Sequence, residues 1–151
     1  MGGVLAIDFG SKKCGFATTD ALGVSLQALE VLRHEGDESR LLAHLRGLLE
    51  ERDVSLLLVG VPLDGEGHAT ERALVVRAFV ERLRAAFPAL EVAEWDERLT
   101  TREAEARLRE QGVRGRNAKA ERDSWSALVL LEDWLRSHPR GPRGPRGPAN
   151  S

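Results

Sequence analysis

A chain of 151 residues suffices for one domain with a real core, burying roughly 68–70% of the surface its unfolded form would expose. Its 42% hydrophobic and 30% charged residues suit a globular protein in water, and no run nears the ~18 uninterrupted apolar residues of a membrane-spanning helix, so no bilayer is implied. The net charge of −2 conceals an asymmetry: residues 1–97 carry 10 Lys and Arg against 17 Asp and Glu, residues 98–122 carry 8 against 4, so a footprint for a polyanion is expected toward the back of the chain.

The N-terminus has no basic leader before its apolar run and meets an acid at Asp8, unlike a signal peptide. Cys14 is alone and cannot staple the chain, so a reducing cytoplasm is the expected compartment. Residues 3–9 and 14–20, split by the turn-prone GSKK, predict a hairpin, and residues 23–33 a third strand. Asp37 is placed to cap a helix through about 52, with Leu41, Leu42, Leu45, Leu48 and Leu49 at helical spacing. The continuous apolar run 55–61, ended by Pro62, predicts a strand covered on both faces. A second helix is expected over 69–86, with Leu74, Val75, Phe79, Val80 and Leu83 as its inward stripe.

Residues 90–97 predict a fifth strand with Val92 and Trp95 on opposite faces, and Thr100 with Glu103 forms a capping box for a helix to about Gln111. GVRGRNAK reads as a basic loop and residues 120–136 as one last helix. The order βββαβαβαα implies an α/β fold with a five-stranded mixed sheet, helices on both faces, and ligands at the carboxyl ends of the strands. Residues 1–137 would form this domain, and 138–151, with repeated Gly-Pro-Arg, a disordered basic tail.

Three acids sit where periodicity predicts burial. Asp8 ends the first strand, Glu97 with Asp96 ends the fifth, and Asp123 lies 4, 7, 8 and 11 residues before Ala127, Leu130, Leu131 and Trp134, on their inward face. Alternation allows only one of Asp96 and Glu97 to point inward, and register alone leaves open which. Carboxylates brought together repel unless a cation sits among them. All-oxygen ligation selects Mg²⁺ or Mn²⁺, and two such ions would activate a water and stabilise the leaving oxygen of a phosphoryl displacement. His34, His44, His68 and His138 show no ligand spacing. Lys12, Lys13, Arg98, Arg114, Arg116 and Lys119 are placed to meet a phosphate backbone. Trp95, Trp125 and Trp134 lie on apolar periodicity, which favours core packing over base stacking.

IDFGSKKCG (7–15), LLLVGVPLDGEG (56–67), WDERLTTREAE (95–105) and KAERDSWSALVLLEDWL (119–135), in this order over residues 3–136, resemble the YqgF or RuvX family of bacterial pre-16S rRNA nucleases, also described as Holliday-junction-resolvase-like. The resemblance implies an RNase H-like fold, a cytoplasmic nuclease dependent on Mg²⁺ or Mn²⁺, and a role in maturing the 5′ end of 16S rRNA. Structured RNA in the pre-ribosome would be its partner, with branched DNA as the alternative, acting as monomer or homodimer. It also places Asp8, Glu97 and Asp123 as the acids of the metal centre. Glu66-Gly67 stands where Asp-Gly is usual in the family. DFGSKKCG is similar as well to the first phosphate motif of the actin and sugar-kinase superfamily, but those proteins close two such domains around a nucleotide and this chain has length for one. A binding module without turnover would gain nothing from three acids facing phosphate.

Overall fold

The computed structural model describes residues 2–23, 25–99, 102–111 and 118–139. Strands β1 (Gly3–Phe9), β2 (Lys13–Thr19) and β3 (Leu26–Arg33) come first, then helix α1 (Glu38–Glu51), β4 (Val54–Val61), α2 (Glu71–Ala86) and β5 (Glu91–Asp96). A 3₁₀ turn (Glu97–Leu99) and helices α3 (Arg102–Gln111), α4 (Ala118–Asp123) and α5 (Trp125–Ser137) complete the described chain. The sheet order is β3-β2-β1-β4-β5, antiparallel among the first three strands and parallel where β4 joins β1 and β5. The five-stranded mixed sheet and the α/β class are those expected.

β1 is central and covered on both sides, and Val4, Leu5, Ala6 and Ile7 have no exposed surface. Side-chain alternation sends Leu5 and Ile7 into a core with Leu41 and Leu45 of α1 and Phe79, Val80 and Leu83 of α2. Val4 and Ala6 point the other way, into a core with Ala104 and Leu108 of α3 and Leu128 and Leu131 of α5. The Asp37 side chain accepts from the Arg40 amide and Thr70 from that of Ala73, so α1 and α2 each begin on a side-chain cap.

Two expectations need correction. In α2 the buried stripe is Ala73, Val76, Phe79, Val80 and Leu83, while Leu74 and Val75 are 60% and 48% exposed. Val76 stands 3, 4 and 7 residues before Phe79, Val80 and Leu83, a better helical match than its bulkier neighbour Leu74. The last helix is two segments, not one. Between them the buried Ser124 hydroxyl accepts from the Phe16 amide at 3.0 Å and donates to the Leu29 carbonyl at 2.7 Å. It bridges β2 and β3 where their register slips between Cys14 and Phe16. Gly15 makes the approach possible, since a Cβ there would stand 3.3 Å from the Ser124 Cα and hydroxyl. The Thr100 cap lies outside the described residues, as does the tail from 140 on; His138 stacks on Trp134 with ring centroids 4.1 Å apart.

Candidate active site

The parity that buries Val4 and Ala6 carries Asp8 to the same, α5-facing side at the point where β1 leaves the core. On β5 the same logic places Glu97 after Ala93 and Trp95, which pack into that core. Asp8 and Glu97 line one cavity of about 200 Å³ together with Glu105, Trp125, Ser126, Val129 and Leu130. β4 runs between their strands, and its residue at this level is Gly60. A Cβ on Gly60 would come within 2.6 Å of a Glu97 carboxylate oxygen, so the missing side chain is what lets Glu97 fold back toward Asp8.

Burial pushes the Asp8 carboxyl up from its ordinary range, and the Arg72 guanidinium opposes that shift. Glu97 is raised first by burial and then by the charge of Asp8, again with Arg72 opposing. Arg72, in the first turn of α2, donates to the Phe9 carbonyl, and its guanidinium lies over the Phe9 ring at 5.6 Å. The Phe9 ring also stacks on Phe79 at 4.1 Å. The Gly36 amide donates to His34 Nδ1, which leaves Nε2 to donate to the Gly10 carbonyl at 2.9 Å. The backbone that follows Asp8 is therefore pinned from two sides.

Asp96 turns away from the cavity. Its carboxylate is gripped by the Arg98 guanidinium at 2.9 and 2.7 Å and is held below the usual carboxylate range by those bonds. Arg98 also donates to the Gly65 carbonyl, so its donors are largely spent within the chain. Lys12 on the β1–β2 turn and Lys13 at the start of β2 are exposed. The structure does not bring Asp123 into the cavity with Asp8 and Glu97. It pairs with Lys119 at 2.8 Å and lines a neighbouring cleft with Glu30, Val31 and Ala120. Among the described residues no three His, Cys, Asp or Glu side chains come together to hold a metal. Arg114 and Arg116 lie outside the described residues.

Four residues in or around the cavity had no place in the sequence reading of the site: Glu105 and Trp125, which line it, and Gly60 and Arg72, which act on its acids from outside. A glycine near the carboxyl end of a buried strand was the one available signal.

The model of the family "RuvX: Holliday junction resolvase" matches residues 2–137. The chain belongs to the RuvX family. A relative from Dechloromonas aromatica, named "Putative pre-16S rRNA nuclease", is 39% identical over 137 residues, covering 91% of this chain and 92% of its own. A relative of the same name from Anaeromyxobacter sp. is 38% identical over 131 residues, 87% of this chain and 94% of its own. Among solved structures, Thermus thermophilus RuvC superposes with a TM-score of 0.61 at 17% identity over 92% of this chain and 98% of that one. The same protein bound to a Holliday junction substrate gives 0.59 at 18% identity over 93% and 98%. At that identity the likeness establishes the RuvC-like, RNase H-type fold of this RuvX chain and nothing finer.

Proposed function

We propose that this RuvX protein is a cytoplasmic endonuclease that hydrolyses phosphodiester bonds with the aid of Mg²⁺ or Mn²⁺, trimming the 5′ end of pre-16S rRNA. The observation that carries the reading is the shared cavity of Asp8 and Glu97 at the carboxyl ends of their strands. Two half-buried carboxylates, with the charge of Asp8 raising the proton affinity of Glu97, are an all-oxygen donor pair suited to a hard divalent ion. Mg²⁺ is commonly held by one or two protein carboxylates, the remaining positions going to water and substrate phosphate. Asp8 and Glu97 are the residues that would hold it. Bound there, the ion would activate a water and stabilise charge on the phosphate.

Lys12 and Lys13, just after β1, would draw the nucleic-acid backbone toward this end of the sheet, and Arg72 would lessen the cost of ionising the acids before an ion arrives. Asp123 is proposed as a third ligand, as the family resemblance implies, and the two-ion form of the centre depends on it. Joining the others requires its pair with Lys119 to open. Lys119 is 70% exposed, and exposed pairs are worth about 0–1 kcal/mol, too little to hold a carboxylate from a divalent ion. The family's description as resolvases and the neighbour solved with a Holliday junction favour branched DNA as a second reading.

The test compares a pre-16S 5′ leader RNA with a synthetic four-way DNA junction, each with Mg²⁺ and with chelator. The reading expects RNA cleavage that needs the ion and falls at least about a hundredfold in Asp8→Asn. Cleavage that survives chelation or this substitution overturns it, and cutting of the junction alone supports the second reading.

A further inference from the structure

The cavity holds more than the two acids need. Its inner wall is apolar and aromatic, made by Trp125, Val129 and Leu130 of α5, and Glu105 and Ser126 add polar groups. Trp125 is only half-buried, and no acceptor among the described residues meets its indole N–H. Its ring packs in part against the core of Val4, Ala6 and Leu128, as the periodicity favoured, and in part walls the cavity, where it can meet a ligand. The Arg109 guanidinium lies over the indole at 5.5 Å, bringing positive charge to a cavity whose other charges are negative. Glu105 has no hydrogen bond or ion pair among the described residues, so its carboxylate keeps its accepting capacity.

These groups are what a nucleobase requires: an apolar wall to lie against and an acceptor at its edge. A cavity of about 200 Å³ falls below the ~300 Å³ at which sites for drug-sized ligands begin, and suits one planar ring system rather than a whole cofactor. A base inside a duplex is stacked on both faces and cannot enter, so the strand must present it unpaired. We propose that the cavity is a base-binding subsite for a nucleotide next to the scissile phosphate, with Trp125 as its stacking wall and Glu105 selecting a base that carries an amino group over uracil. A carboxylate accepts from the amino group of cytosine, adenine or guanine, whereas uracil has no amino group and offers a single N–H flanked by two carbonyl oxygens that repel the carboxylate. The proposal rests on the nuclease reading for its substrate, but its test does not use turnover.

The full chain is titrated, with Ca²⁺ replacing Mg²⁺, into a single-stranded hexaribonucleotide alternating 2-aminopurine with uridine, and into the same strand paired in a duplex. The single strand is expected to lose fluorescence on binding and the duplex to keep it. Trp125→Leu should bind about five- to a hundredfold more weakly without quenching, and Trp125→Phe should recover both. Glu105→Gln should narrow the preference for cytidine over uridine hexamers measured by competition. No quenching by the wild type, or equal quenching by Trp125→Leu, overturns the subsite. If Trp125→Leu does not fold, Glu105→Gln decides: an unchanged cytidine preference overturns the proposal, and a narrowed one supports it. Quenching with no cleavage under Mg²⁺ would leave the subsite standing and count against the nuclease reading instead.

Discussion

Burial makes an ionised Asp8 costly to the fold, and the proposed chemistry supplies a reason to keep it. Its carboxyl is raised by burial, and Glu97 by burial and then by Asp8, so the folded chain holds protons on them more tightly than the unfolded chain does. Stability from these groups is therefore full below the ordinary values of 3.8 and 4.5 and is lost as pH climbs through the raised folded values. In chelator at pH 7, Asp8→Asn should melt above the wild type, by about 2–4 °C for each kcal/mol relieved, and the gap should close in acid. Equal melting temperatures at pH 7 would mean that Arg72 already cancels the cost. At this scale the sequence was readable where a residue broke a pattern: an acid closing an apolar run marked Asp8. Arg72 was not readable, because an arginine on an exposed helix start looks like any other until α2 is laid against β1.

The junction at Ser124 is the element on which the position of the last helices turns. Its hydroxyl satisfies the buried Phe16 amide and the Leu29 carbonyl at once. Ser124→Ala should cost about 1–3 kcal/mol in urea unfolding, since it strands a buried donor, and a cost under about 0.5 kcal/mol would show that the bridge carries no weight. The chain order of the five strands and the four predicted helical regions were legible, as apolar runs and caps such as Asp37 act locally. The break at Ser124 was not, because its cause lies on β2 and β3, more than 90 residues away in sequence. Periodicity treated residues 120–136 as continuous and so carried Asp123 onto the inward face, whereas the structure turns it to the Lys119 cleft. The α2 stripe failed for a different reason: weight was given to large side chains where spacing favoured Ala73 and Val76.

Across the whole molecule the acids gather at one end of the sheet, and Lys12 and Lys13 stand at its rim. If the proposed footprint is right, backbone binding through these lysines would release counterions, and affinity for nucleic acid should fall steeply with salt. Replacing either by Ala should reduce the slope of log affinity against log salt by about 1, with the same loss for different sequences. An unchanged slope would move the footprint elsewhere. The central claim, that Asp8 and Glu97 together hold a divalent ion in a RuvC-like fold, is tested most directly by anomalous diffraction from crystals soaked in Mn²⁺. The account predicts a peak bonded to both carboxylates at about 2.0–2.2 Å, lost in Asp8→Asn. Ordered density for both side chains with no peak between them, at saturating Mn²⁺, would contradict it.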